Sequence, residues 1–82
     1  MLSQKDIRVL EFESRWWHYP EPKDRAVREY LSMSATRYYQ ALRRLVDDDA
    51  AAALFPLVIH RLRHMRRERQ EALARRLDTT VG

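Results

Sequence analysis

The stretch from Val27 to Val46 constrains the fold more than any other part of the chain. Val27 and Leu31 stand four apart, Tyr38, Leu42 and Leu45 follow at helical spacing, and only Ser32-Met33-Ser34 separates the two sets. That spacing predicts two short helices set at a steep angle around one apolar plug, Met33. Ser34 is a good N-cap for the second helix, which should run from Ala35 to Val46. The first should run from about Lys23 to Leu31, with Pro22 placed to open it.

The flanking segments repeat the helical signal. Ser3 and Asp6 form a shortened capping box for a helix from Gln4 to about Trp17. On it Ile7, Leu10, Ser14 and Trp17 fall on one side, and Val9, Phe12 and Trp16 on nearly the other. Both sides want cover, so this helix either threads the middle of a bundle or offers one face to a partner. Pro20 and Pro22 then force an extended bend. Asp47, Asp48 and Asp49 close the Ala35 helix and suit the start of a short helix through Ala50–Leu54. Pro56 opens a last helix to about Leu77, with an apolar stripe of Val58, Leu62, Met65, Ala72 with Leu73, and Leu77, interrupted by Arg69. Its first half should dock on the core, while its second half projects, pairs with another chain or frays. Residues 78–82 are expected to form a disordered tail.

A single Gly, and three Pro that all lie outside the periodic stretches, leave few of the turns an all-β fold needs. The expected fold is all-α: a small helical bundle forming one domain over residues 1–77. At 82 residues there is room for one core and no deep cleft between domains. With 45% hydrophobic and 34% charged residues the chain suits a folded domain, not a disordered one.

The same inventory excludes several functions. The chain contains no Cys, so disulfides, Cys-type zinc sites and thiol nucleophiles are out. It has no Gly-rich phosphate loop and no spacing that suggests a Ser, His and carboxylate arrangement, so no enzyme, cofactor or small-molecule substrate is expected. The Asp47–Asp49 triplet lacks calcium-loop spacing. His60 and His64 stand i, i+4 as zinc ligands can, but no third ligand is in view. No metal is expected. Lys5 and Asp6 fall where a signal peptide would be apolar, and no run approaches a membrane span, so the expected location is the cytoplasm, at the nucleoid.

Net charge of +4 favours an anionic partner. Of sixteen basic residues only Lys5 and Lys23 are lysine and the rest are Arg. The guanidinium fork suits phosphate and guanine, but a GC-rich genome also produces arginine-rich chains, so placement must decide. On the Ala35 helix, at about 100° per residue, Thr36, Gln40 and Arg43 point directly away from Tyr38, Leu42 and Leu45, with Arg37 and Arg44 flanking them and Tyr39 to one side. Thr, Gln and Arg can all read base edges in a major groove. Any solvated helix shows a polar outer face, yet that does not account for the turn preceding this one. Ser34, Thr36, Arg37, Tyr39, Gln40, Arg43 and Arg44 are therefore the candidate DNA-binding residues. Arg28, Arg61, Arg63, Arg66 and Arg67 are candidates for phosphate contact; the last helix carries seven arginines against two glutamates over residues 56–77.

The Leu31-Ser32-Met33-Ser34 core resembles the bacterial helix-turn-helix superfamily, with Arg28 standing where many members have Ala and Ser32 where many have Gly. More narrowly, Trp16-Trp17, the Met33-Ser34-Ala35-Thr36-Arg37-Tyr38-Tyr39-Gln40 run and the Arg61-Leu62-Arg63 helix are similar to a family of short actinobacterial proteins catalogued as a domain of unknown function. The resemblance spans most of the chain. It implies a helix-turn-helix over residues 24–46 and supplies no activity or ligand. The expected partner is double-stranded DNA, in transcription regulation or nucleoid association. A domain with so few base readers binds specifically only weakly, which argues for a homodimer, repeated sites or the transcription machinery as a partner. The competing expectation is an adaptor that docks on RNA polymerase, a sigma factor or another protein through the aromatic face of helix 4–17, around Val9, Phe12 and Trp16.

Overall fold

The computed structural model describes the backbone of residues 1–81 and the side chains of residues 1–78. It contains five helices, α1 (Gln4–Glu13), α2 (Lys23–Leu31), α3 (Ala35–Leu45), α4 (Asp49–Leu54) and α5 (Pro56–Val81), and no strand among the described residues.

Local chemistry explains where each helix starts. The Asp6 amide donates to Ser3 Oγ at 3.0 Å while the Ser3 amide donates to the Asp6 carboxylate at 3.2 Å, a reciprocal cap for α1. Ser34 Oγ accepts from the Arg37 amide at 3.2 Å and Asp48 Oδ1 from the Ala51 amide at 3.0 Å, capping α3 and α4. Pro22 sits at the cap position of α2, with ψ 148°, one residue before the helix and not inside it.

The ends depart from expectation in two places. Helix α1 stops at Glu13, four residues short of Trp17. The Ser14 hydroxyl donates back to the Glu11 carbonyl, Arg15 leaves the helical region at φ −148°, and one 3₁₀ turn covers Trp16–His18. Breaking there turns Trp16 onto the core and leaves Trp17 half exposed. At the other end α5 runs past Leu77 to Val81, so residues 78–81 are helical where a tail was expected; Gly82 lies outside the described residues.

The core draws on every helix: Val9, Leu10 and Phe12 from α1, Ala26 and Val27 from α2, Tyr38, Leu42 and Leu45 from α3, Ala51 from α4, and Val58 and Ile59 from α5. Val9, Leu10 and Phe12 of α1 are covered as α2 and α3 pack against it, while Ile7 stays partly exposed. Of the two outcomes left open for this helix, it takes the central one. Val9 and Phe12 are 1% and 3% exposed, and Trp16 is partly buried against the core.

The α2–α3 turn holds its shape by a left-handed residue. Ser32 has φ 54° and ψ 41°, the position that glycine adopts freely, and for a residue with a Cβ this costs about 1 kcal/mol. Met33 follows, half buried against the core, as the plug its spacing predicts. Helix α5 packs chiefly on α4. Only its first turns are covered, and every described side chain beyond Arg63 is exposed. A helix of this length spans about 39 Å, which accounts for the elongated 48 × 29 × 20 Å outline.

Candidate nucleic-acid interface

Helix α3 separates two chemistries by angle. Tyr38, Leu42 and Leu45 are 0–7% exposed and fix its rotation against α1 and α2, while Thr36, Arg37, Gln40, Arg43 and Arg44 all face solvent on the far side. The side chains of Arg37, Gln40 and Arg43 have no hydrogen-bond or ion-pair partner among the described residues, so their polar groups are available to a ligand. Ser34 is exposed at the start of the helix but its hydroxyl already accepts the Arg37 amide.

Two candidates on α3 are exposed but engaged by carboxylates of neighbouring helices. Arg44 Nη2 binds the Asp6 carboxylate on α1, and this guanidinium holds the Asp6 carboxyl below its usual range, with the Ser3 cap adding to the effect. Tyr39 Oη donates to Asp24 at 3.3 Å; partial burial and that carboxylate raise its pKa. Both contacts tie α3 to its neighbours.

The Asp6–Arg44 pair has a consequence in acid. A carboxyl whose folded pKa is depressed contributes stability that is present above its ordinary pKa, near 3.8, and is lost as pH falls through the folded value. Because the Arg44 side chain is 58% exposed, solvent screens the pair and its contribution is at most about 1 kcal/mol. Asp6→Asn keeps an acceptor for the Ser3 amide while removing the charge. Acid titration of unfolding, followed by circular dichroism, should show the variant less stable than wild type at pH 7 and the two converging as pH falls through the lowered folded pKa of Asp6. A gap that persists at low pH would assign the loss to packing instead.

The arginines expected to touch phosphate divide sharply. Arg61 Nη2 donates to the Glu13 carbonyl at 2.8 Å, pairs with Glu13 Oε2 at 3.4 Å and lies 5.1 Å from the Trp17 ring. Arg63 Nε donates to the Val46 carbonyl at 3.0 Å, satisfying the C-terminal end of α3. Arg66 Nη1 reaches both oxygens of Asp47, at 3.0 and 3.1 Å. These three contacts tie α5 to α1 and to the α3–α4 connection. Arg28 and Arg67 remain exposed and have no partner among the described residues.

Sequence reasoning passed over the group that holds this arrangement together. Glu13 is 3% exposed, accepts from the Tyr38 hydroxyl and pairs with Lys23 Nζ at 2.9 Å as well as with Arg61. Lys23 in turn lies 4.9 Å from the Trp16 ring, 5.5 Å from Tyr38 and 5.4 Å from Tyr39. Burial, then the Glu13 contact, pushes the Tyr38 hydroxyl far up, so it stays a donor at any physiological pH. The signal was present: Asp6, Leu10 and Glu13 share the spacing of a buried face, which marks the two acids as core positions. The remaining polar expectations resolve locally. Asp48 caps α4, Asp47 pairs with Arg66, His64 pairs with Glu68 at 3.0 Å, and no group of three metal-ligating side chains occurs among the described residues.

With that geometry established, comparison with known proteins places the chain. The family described as "Protein of unknown function (DUF3263)" matches residues 1–75. The chain belongs to this family. The match covers α1 to α4 and most of α5, so the outward face of α3 and the Glu13 cluster both lie in the DUF3263 region. No curated protein and no solved structure matches the chain. No described helix is long and apolar enough to cross a membrane.

Proposed function

We propose that this DUF3263 protein binds duplex DNA, with α2 and α3 acting as a helix-turn-helix and α3 entering the major groove. The observation that carries the reading is the outward face of α3: Thr36, Arg37, Gln40 and Arg43 are exposed on a helix whose rotation is fixed by Tyr38, Leu42 and Leu45. These side chains can pair with base edges, and because Arg37, Gln40 and Arg43 have no internal partner, contact with DNA breaks no existing bond at those positions. Arg28 on α2 and Arg67 on α5 are cations suited to phosphate. A role in transcription regulation, or in coating the nucleoid, follows from this reading.

The test is a mobility shift on duplex DNA at low and high salt. Wild type should bind, and binding should weaken as salt rises, because phosphate contact releases counterions. Arg37→Ala with Gln40→Ala should lower affinity for a preferred site by about tenfold or more, as expected for loss of base contacts worth about 1–3 kcal/mol each. Absence of salt-dependent binding by wild type would remove the proposal.

A further inference from the structure

Between α3 and α5 lies an open groove of about 450 Å³ that shares Arg43 with the DNA reading and is otherwise separate from it. Its floor is apolar, formed by Leu42 of α3, Val46 just past its end, and Leu62 and Met65 of α5. Leu42 and Val46 are buried, Leu62 is half buried and Met65 is 43% exposed. Methionine on such a surface adapts to the shape of whatever packs on it.

Charge selects the occupant. Four cations line the groove, and two are neutralised: Lys23 by Glu13 at 2.9 Å and Arg66 by Asp47 at 3.0 Å. Arg43 on the α3 side and Arg69 on the α5 side have no partner among the described residues. The result is an apolar channel with a free guanidinium on either bank.

We propose that this groove docks an acidic amphipathic helix of a partner protein, its apolar face on Leu42, Val46, Leu62 and Met65 and its carboxylates on Arg43 and Arg69. This is recognition of a helix in a groove, with the flanking pairs setting orientation. A second copy of the chain is disfavoured as the occupant. The projecting part of α5, its natural candidate, carries five arginines against two glutamates over residues 66–77 and would meet like charge at the rim. The proposal does not depend on DNA binding.

The experiment uses the full chain without DNA and a synthetic helical peptide with leucines along one face and glutamates along its flanks, titrated with amide chemical-shift mapping. The expected result is saturable binding that shifts Leu42, Val46, Leu62 and Met65, and Arg43→Glu with Arg69→Glu lowering affinity by about tenfold or more. Both arginines are exposed, and circular dichroism should show these variants as folded as wild type. No binding, equal binding of a peptide with lysines in place of the glutamates, or shifts centred elsewhere would each overturn the proposal. So would a dimer in sedimentation that Met65→Glu disperses, since the groove would then belong to a second copy.

Discussion

Glu13→Ala is expected to destabilise the protein by about 3 kcal/mol, lowering its melting temperature by roughly 15 °C for a domain of this size. The carboxylate is 3% exposed and serves the Tyr38 hydroxyl, Lys23 and Arg61 at once. Its removal leaves a buried hydroxyl without its acceptor and a lysine held among aromatic rings without its counter-charge. The Lys23 and Arg61 side chains keep 21% and 37% exposure, so water relieves part of the loss, which sets the estimate at the lower end for a broken buried pair. Glu13→Gln, which keeps an acceptor for Tyr38 but no charge, should fall between. Thermal unfolding followed by circular dichroism measures both, and a change below about 1 kcal/mol for Glu13→Ala would show that the cluster is not a structural centre.

Leu45→Ala should cost a similar amount, about 3 kcal/mol, by a different mechanism. Leu45 is fully buried in the core cluster, so truncation loses its burial and leaves a cavity that the surrounding helices fill only in part. The informative control lies five residues earlier on the same helix. Gln40 is exposed and has no internal partner, so Gln40→Ala should change stability by no more than about 0.5 kcal/mol. Urea unfolding of the two variants would show whether α3 carries its packing and its outward chemistry on separate faces. Comparable losses at both positions would contradict the separation on which the DNA reading depends.

Much of the architecture was legible from local signals. Ser3, Ser34 and the Asp47–Asp49 triplet mark helix starts because a short side-chain acceptor next to an unpaired amide is a local event, decided within three or four residues. The stripe of Tyr38, Leu42 and Leu45 predicted which side of α3 is buried for the same reason. The end of α1 was not legible. Continuing the helix to Trp17 satisfied the periodicity equally well, and the break at Ser14 and Arg15 sets Trp16 against a core the sequence does not display.

For the candidate site the division is similar. Residue types and spacing were enough to assign Thr36, Arg37, Gln40 and Arg43 to an outward face, because a helix converts position into angle. They could not distinguish the arginines free to meet a ligand from those already engaged. Arg61, Arg63 and Arg66 look like Arg28 and Arg67 in sequence, but the acceptors that hold them, at Glu13, Val46 and Asp47, lie 17 to 48 residues away along the chain.

The stretch from Val27 to Val46 determined by itself that two helices would meet across Ser32-Met33-Ser34, since caps, spacing and a plug residue act over a few residues. Only the tertiary structure decided that Glu13 and Lys23 stand behind α3 and that a groove opens beside it. Those features arise from contacts between distant segments, and pairing over such distances is set by how the helices pack, which no local spacing encodes.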